Sequence, residues 1–581
     1  MHSFKFKADF ARVARGLPSF AALLGACALA HGQAVAPSQV TPPSLQPEVP
    51  RFSPSELVIP PGTEPEMRAG DSLDVQVQQV QVEGGLPQLE DAASDMAQAL
   101  QGRRVTLMEI NRRAALLEDA YHQRGYFLVR VTLPPQRLRD GGTLRIVVLD
   151  GFIEEVDASA VPERVRETVR RILQPLAGQR GLRLDEAERR LRVAGSLAGL
   201  RLISALTAGE QPGGSRLLLE GQLRDASASL TVDNGLAASL GSAQMLLSLS
   251  LNSPFGQGER LYAALGTGRP MGGWASGEAP LALGAAGLIV PLGTDGWTFN
   301  PEFTHTTLNP EPVRDGLRMR GQLSRAALRF ESPLVTGKDG TGSAQVILER
   351  VAQRQAAPDF GFTVSSDRYN ALRAGLDGTT GIDNEGGNLS ASAQWSQGLG
   401  GREPQPSSAD SPLSRQGASP RFSRLNALLR LNESLGSRAN LALMAAGQIS
   451  FGDPLLVSEQ FALSGADKVS GRPAGGLSVD EGLTLRAELS WSLPAALTGG
   501  VRPAVATPYA FAAAGLGRLL QPTAVEQARL QARSAGFGLR AATLNSTGLQ
   551  AQLAAEMARC WAAPDDDGQR WRLSVRLSVF M

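Results

Sequence analysis

The C-terminal stretch Trp571-Arg572-Leu573-Ser574-Val575-Arg576-Leu577-Ser578-Val579-Phe580-Met581 alternates between apolar and polar side chains. The parity that begins at Trp571 is wholly apolar, whereas the other carries arginine or serine everywhere except at Phe580. A β-strand with one face toward lipid and the other toward water needs this period of two. Its two arginines argue against a membrane-spanning helix. An edge strand of a soluble sandwich has the same alternation, so this stretch by itself leaves both architectures open.

The same pattern recurs upstream. Ala226–Val232 and Gln244–Leu251 are alternating runs, and each is followed by turn chemistry, Asn-Gly after the first and Asn-Ser-Pro after the second. Residues 226–581 number 356, and at roughly 22 residues for each strand with its connection they supply about 16 strands, an even number. No run of 18 apolar residues interrupts them. We therefore predict a transmembrane β-barrel over residues 226–581.

Composition restricts the functions open to the chain. Its formal net charge over 581 residues is only +1, so it lacks the basic footprint of a nucleic-acid-binding protein. Of the two cysteines, Cys27 falls in the predicted leader, so Cys560 is the single cysteine predicted for the mature chain and no internal disulfide is expected. No metalloprotease, nucleophile-elbow or phosphate-loop motif is present. We predict no enzymatic activity, no cofactor and no metal site.

Two segments precede the folded modules. Residues 1–34 have a basic start and an apolar centre, which predicts a secretory signal peptide; a lipoprotein signal around Cys27 is the alternative. Residues 35–71 are rich in proline, which cannot continue a helix or a central strand. We interpret that segment as an extended, semi-rigid linker with no convincing plug helix.

Residues 72–150 and 151–225 repeat one order of elements. Each is predicted as strand, helix, helix, strand, strand, and the two last strands of the first module are predicted over residues 126–133 and 142–149. In the first module, Thr106 and Glu109 have the spacing of a capping box before an amphipathic helix, and Gly125 ends that helix. The repeat predicts two small α+β modules between the linker and the barrel.

These residues resemble the outer-membrane transporters of two-partner secretion, the haemolysin and filamentous-haemagglutinin secretion/activation proteins. The resemblance runs from about residue 72 to the C-terminus and is carried by the motifs Arg124-Gly125-Tyr126, Leu133-Pro134-Pro135-Gln136, Leu197-Ala198-Gly199 and Asn252-Ser253-Pro254-Phe255-Gly256. It implies that the two modules are POTRA domains in the periplasm and that the barrel lies in the bacterial outer membrane.

The resemblance also points to two motifs inside the barrel, and both depart from the family. The family's inserted loop has Val-Arg-Gly followed by an aromatic residue, whereas this chain has Val469, Ser470, Gly471 and Arg472. Its Phe-x-Asp-x-Gly strand motif reads Phe511, Ala513 and Gly515 here, so Ala513 stands for the aspartate. Both halves of the family's ion pair are therefore missing together. We expect the loop to insert nonetheless and to be held differently, with Arg472 bonded to another acceptor.

The resemblance implies a pore that recognises an unfolded partner exoprotein, of adhesin or haemolysin type, and moves it from the periplasm to the cell surface. An open edge of a POTRA sheet can add a strand of the client. Our candidates for these edges are Leu128, Val129, Arg130, Val131 and Arg201, Leu202, Ile203. The lipid bilayer and the barrel assembly machinery are the other expected partners, and we expect a monomer. An assembly factor of the same superfamily is the alternative, followed by a passive porin.

Overall fold

The computed structural model describes residues 35–47, 57–58, 74–268, 278–311, 318–337, 340–382, 386–401, 412–493, 504–524, 526–544, 550–563 and 571–581. The predicted signal peptide, residues 1–34, lies outside the described residues. Among the described residues, no helix is long and apolar enough to cross a membrane.

The described residues up to 225 form two α+β modules and an N-terminal part. The N-terminal part contains helix α1 (Pro37–Val40) and strand β1 (Leu57–Val58). The first module contains β2 (Asp74–Gly84), α2 (Glu90–Leu100), β3 (Arg103–Thr106), α3 (Leu107–Gln123), β4 (Arg130–Thr132) and β5 (Gly142–Leu149). The second module contains β6 (Phe152–Ala160), α4 (Glu163–Leu173), α5 (Leu184–Gly195), β7 (Leu200–Ala208) and β8 (Gly214–Leu223).

The remaining strands belong to the barrel and to one long loop inside it. The barrel strands are β9 (Ala226–Asp233), β10 (Gln244–Asn252), β11 (Arg260–Thr267), β12 (Leu281–Leu292), β13 (Trp297–Leu308), β14 (Arg320–Thr336), β15 (Gly340–Ala357), β16 (Phe362–Gly381), β17 (Asn388–Gly401), β18 (Ser423–Leu435), β19 (Ala439–Ile449), β22 (Glu481–Trp491), β23 (Ala504–Arg518), β24 (Arg529–Leu544), β25 (Gln550–Ala563) and β26 (Trp571–Phe580). The loop between β19 and β22 contains β20 (Phe461–Ala462) and β21 (Ser478–Val479).

The barrel closes on itself through its first and last strands. Its sixteen strands pair with their neighbours in antiparallel order, and β26 pairs with β9 with Phe580 opposite Ser229. Closure continues one residue further, because the Met581 N–H donates to the Ala228 carbonyl at 2.9 Å. Pairing of the first strand with the last satisfies backbone groups that the lipid of a bilayer could not satisfy. The predicted barrel of about 16 strands is confirmed.

The alternation in β26 faces the way the sequence predicts. Trp571, Leu573 and Met581 are 54%, 50% and 57% exposed, whereas Ser578 is 9% exposed and bonds Thr231 across the closing seam. Large apolar side chains cover the outside of the other strands as well, among them Phe303, Leu348, Leu485 and Phe537. The outer surface is therefore apolar, and the inner surface is lined by buried polar and charged groups.

Each module packs two helices on one mixed sheet. The strand order is β3-β2-β5-β4 in the first module and β1-β7-β8-β6 in the second. The predicted helix start is observed at α3, where the Thr106 hydroxyl accepts from the Glu109 N–H at 3.2 Å. The first module adds one element that the sequence reading missed, the short strand β3 between its helices.

The predicted strand over residues 126–133 is mostly wrong. Only Arg130–Thr132 form a strand. Leu128 and Val129 precede it in a turn, and the Val129 N–H donates to the Tyr126 carbonyl at 3.2 Å. Phe127 is not in a strand, because its side chain packs into the hydrophobic core of the second module. An apolar run that looks like a strand thus joins the two modules instead.

The N-terminal segment, which we define as residues 35–47, does not behave as a spacer. It enters the barrel, where α1 forms one turn and the Thr41 hydroxyl is hydrogen-bonded to the Thr306 hydroxyl of β13 at 2.9 Å. Leu45 is buried against Ala264 and Leu283 of the inner wall. The linker interpretation is therefore wrong for residues 35–47. The prolines disfavour a helix, but contacts with the barrel wall hold the segment in place.

The second module rests on the barrel turn at residues 253–259. The Thr168 hydroxyl of α4 donates to the Gly256 carbonyl at 2.9 Å. Gly256 has φ +79°, and a Cβ added to it would lie 2.4 Å from the Arg164 carbonyl oxygen. This turn lies at the end of the barrel that faces the two modules. Only glycine fits this turn, for reasons of both backbone conformation and space.

We predict that Gly256→Ala loosens the second module from the barrel, because the new methyl group meets backbone rather than a flexible side chain. Hydrogen–deuterium exchange of α4 should rise, while β-sheet circular dichroism stays unchanged. The matched control is Gly436→Ala, at φ +76° with no atom within 4 Å of the added Cβ. Equal exchange in both variants would show that the strained φ, and not the docking contact, accounts for the effect.

Candidate functional site: the barrel lumen

The lumen loop, residues 450–480, joins β19 to β22 and folds back into the barrel. Its two ends pair as β20 and β21, with Phe461 opposite Val479. One wall residue, Gln448 of β19, holds both ends, donating to the carbonyl of Glu459 at 3.0 Å and to that of Asp480 at 2.9 Å. Leu463 and Val479 are fully buried. The loop is therefore a packed part of the interior.

The two predicted lumen motifs meet at the tip of this loop. Val469 is buried against Ala532 and Cys560 of the wall. A Cβ on Gly515 would lie 3.1 Å from a Val469 methyl group, and a Cβ on Gly471 would lie 3.0 Å from the Cys560 Cβ. The small residues therefore let the tip approach the wall closely. Phe511 and Ala513 are buried on the same inward parity of β23.

The polar contact at the tip is made by a residue that the sequence reading did not single out. Arg486 of β22 lies directly opposite Ala513 in the sheet. It donates to the Ser470 hydroxyl at 3.1 Å and to a Glu556 carboxylate oxygen at 2.6 Å, and it also pairs with Glu488 at 3.3 Å. Its guanidinium stacks on the Phe511 ring at 3.8 Å.

The positive charge therefore sits on the wall and not on the loop. Ser470, at the position of the family's loop arginine, accepts the hydrogen bond. That Arg472 holds the loop by bonding to another acceptor stays a prediction. Arg472 is half-buried beside the tip. A signal for Arg486 was present in the sequence, because Arg486 and Glu488 are the charged residues on the inward parity of β22, whose opposite parity is mostly apolar.

The base of the loop is fixed by buried ion pairs. Glu459 is 1% exposed, and its carboxylate is bound by Arg373 at 2.8 Å and by Arg424 at 2.7 Å. Tyr369 donates its hydroxyl proton to the same carboxylate. Removing one partner from such a cluster leaves an uncompensated charge in a site of low dielectric. This end of the loop is strongly held.

A second buried pair fixes the other end of the loop. Asp480 is fully buried and accepts from both Arg415, at 2.6 Å, and the Leu520 N–H, at 2.7 Å. Arg415 lies in the connection between β17 and β18, and Leu520 in that between β23 and β24. Three loops at the end opposite the modules are thus joined through one carboxylate.

The N-terminal segment fills another part of the lumen. The Ser44 hydroxyl and the Leu45 N–H both donate to Glu302, at 3.1 and 3.2 Å, and the Gln46 side chain donates to Asn300 at 2.6 Å. Gln39 donates to Ser478 of the lumen loop at 3.2 Å. The segment therefore contacts both the wall and the loop.

One chain of charges connects the two inserted parts. Arg325 of β14 donates to the Pro42 carbonyl at 2.8 Å and pairs with Glu349 at 2.9 Å. Glu349 pairs with Arg373, which pairs with Glu459 of the lumen loop. A continuous path of buried ion pairs thus runs from the N-terminal segment to the loop. Among the described residues, no cluster of His, Cys, Asp and Glu is arranged to hold a metal ion.

Comparison with known proteins identifies this arrangement. The sequence profile of the haemolysin secretion/activation proteins ShlB/FhaC/HecB matches residues 213–541, more than half of the chain. The chain belongs to this family. A ShlB-type POTRA profile matches residues 75–151. The protein is thus a transmembrane β-barrel of two-partner secretion, and we call its modules POTRA 1 and POTRA 2.

Solved structures agree in fold. CdiB from Escherichia coli is 21% identical, with a TM-score of 0.65 over 96% of this chain and 95% of that one. CdiB from Acinetobacter baumannii is 16% identical, with a TM-score of 0.59 over 91% of this chain and 95% of that one. No curated protein sequence matches significantly.

The predicted client-binding edges lie in the POTRA modules. Arg130 and Val131 are in β4, which is an outer strand of the POTRA 1 sheet, whereas Leu128 and Val129 are outside it. The edge of β4 is partly occupied, because the Val131 N–H donates to Glu118 at 2.8 Å. Arg201, Leu202 and Ile203 are in β7 of POTRA 2, whose outer neighbour is β1. Whether a client binds either edge stays a prediction.

We predict that Arg486→Met destabilises the barrel, because Glu488 and Glu556 would lose their shared cation; the cost of breaking a buried pair in this way is about 3–5 kcal/mol. Adding Glu556→Gln should restore part of the loss. The measurement is the thermal midpoint of β-sheet circular dichroism in detergent.

The control is Arg430→Met, at an exposed arginine of β18. An Arg486→Met midpoint equal to that of the control would contradict the assigned role of this cation.

Proposed function

We propose that this protein moves one unfolded exoprotein from the periplasm through its barrel to the cell surface. The proposal is supported by the two parts of the chain that fill the lumen, the N-terminal segment and the lumen loop. Both are attached by side-chain contacts rather than by strand pairing with the wall. Elements held in this way can leave without breaking the barrel ladder, so the same cylinder can be closed or open.

The charges favour a stepwise opening. If the loop tip withdraws, Arg486 keeps Glu556 and Glu488 as partners, so no buried charge is left alone. The Ser470 hydroxyl then loses its hydrogen bond to the charged Arg486, worth about 1.5–3 kcal/mol. If the base withdraws, Arg424 loses its ion pair with Glu459, Arg373 is left with Glu349, and Arg415 is left with the more distant Glu526 at 3.7 Å. The tip is therefore the part expected to move first, while the base stays in place.

Other features support secretion over assembly of other barrels. The described residues contain two POTRA modules next to the barrel, whereas assembly factors usually have three or more. The inner wall offers hydroxyl, amide and charged groups to a passing chain, as at Thr304, Gln353 and Ser534. No nucleotide is available in the periplasm, so net movement would come from the client folding outside. The client would be of adhesin or haemolysin type, and the transporter a monomer inserted by the barrel assembly machinery.

Locking the tip to the wall should stop secretion. A Cβ on Gly471 would lie 3.5 Å from that of Ala558, at the short end of disulfide geometry of about 3.5–4.5 Å. We predict that Gly471→Cys with Ala558→Cys, in a Cys560→Ser background, blocks surface delivery of the exoprotein encoded beside the transporter under oxidising conditions. A reductant should restore delivery.

The control for the lock is Gly471→Cys with Cys560→Ser alone, which has the same backbone strain but cannot form the bond. Delivery by the oxidised double-cysteine variant at the rate of this control would refute the proposed movement of the tip.

A further inference from the structure

On the β7 side, the edge of the POTRA 2 sheet is occupied by the chain itself. Strand β1 pairs with β7 in parallel, with Leu57 opposite Ser204 and Val58 opposite Ala205. Strand β7 is nine residues long, and its other side is paired with β8 along its whole length. Two residues from a distant part of the chain therefore cover the one side of β7 on which a strand can be added.

The sequence around β1 keeps this cover short. Pro54 precedes it, and Pro60 and Pro61 follow it. Proline has no N–H to donate to a ladder, so strand pairing cannot extend through these positions. At most the five residues 55–59 can pair, against nine in β7. A strand this short pairs with only part of the edge of β7, and a longer strand can replace it.

Strand β7 presents a mixed surface beside that edge. Leu202 and Leu206 face the core of the module, whereas Ile203 is 47% exposed and Arg201 is exposed on the outer face. An incoming strand would place alternate side chains next to this apolar and basic pair. POTRA 1 differs, because its edge strand β4 already donates an N–H to Glu118. The edge of β7 is thus the better site for an added strand.

We propose that β7 binds an extended segment of the unfolded client in parallel orientation, and that the client displaces β1 to do so. This inference rests on the proposed function. Residue 57 lies eleven positions after Gln46, which is bonded to Asn300 in the lumen. Eleven residues span at most about 40 Å, so β1 tethers the N-terminal segment to POTRA 2. Displacing β1 releases that tether, and client binding in the periplasm is thereby linked to clearance of the pore.

The test uses the mature full chain in detergent and a fluorescent peptide with the sequence of residues 53–61, Ser-Pro-Ser-Glu-Leu-Val-Ile-Pro-Pro. In the parent protein β1 competes from a tether, at an effective concentration of the order of mM. Leu57→Pro with Val58→Pro removes both N–H groups of β1 and should vacate the edge. We expect this variant to bind the peptide about tenfold or more tightly than the parent. The matched control, Leu57→Thr with Val58→Thr, keeps both N–H groups and should bind as the parent does.

The register is tested by cross-linking. The peptide carries cysteine at the position of Val58, and the double-proline variant carries Ala205→Cys or Arg201→Cys with Cys560→Ser. A disulfide at position 205 and not at position 201 supports parallel binding in the register of β1. Equal binding by the parent and the double-proline variant, or cross-linking that favours position 201, overturns the inference.

Secretion of the neighbouring exoprotein by the parent chain is measured separately and distinguishes the two proposals. If the parent secretes the exoprotein and the double-proline variant gains no affinity for the peptide, only the assignment of β7 is lost. If the variant gains affinity and cross-links at position 205 but the parent secretes nothing, the edge site stands and the proposed transport fails.

Discussion

The interior of this barrel is organised by buried charges that cannot be left unpaired. Arg325, Glu349, Arg373, Glu459 and Arg424 form one continuous series across the wall and into the lumen loop. Each group is desolvated, so losing one partner costs far more than a surface ion pair contributes. Because Glu459 belongs to the loop and Arg325 also holds the N-terminal segment, the positions of both inserted parts depend on this series.

The same principle explains why the tip and the base of the loop differ. In the usual motif of the family, the loop carries a cation and the wall carries an anion, so withdrawal of the loop separates two charges. Here the loop carries Ser470, and the wall holds a cation that is already balanced by Glu556 and Glu488. The ion pair has become internal to the wall. The loss of the motif arginine and aspartate therefore preserves the contact while lowering the cost of breaking it.

The sequence sufficed for what depends on local pattern and failed where distant parts meet. Alternation in Trp571–Met581 predicts the barrel, and the capping pair Thr106 and Glu109 predicts the start of a helix, because both are set by neighbouring residues. The prolines of residues 35–47 argue locally against order, yet contacts with Glu302 and Asn300 hold the segment in place. The hydrogen bond between Arg486 and Ser470 could not be predicted either, since it joins a wall strand to a loop that meet only in the folded barrel.

We propose that the N-terminal segment and the lumen loop together close the pore. The most direct test is single-channel conductance in planar bilayers, comparing the mature chain with a variant that starts at residue 48. We expect a larger and more frequent open conductance for the shortened variant, since the contacts of Ser44, Leu45 and Gln46 with the wall are gone. Conductance equal to that of the intact chain would contradict it.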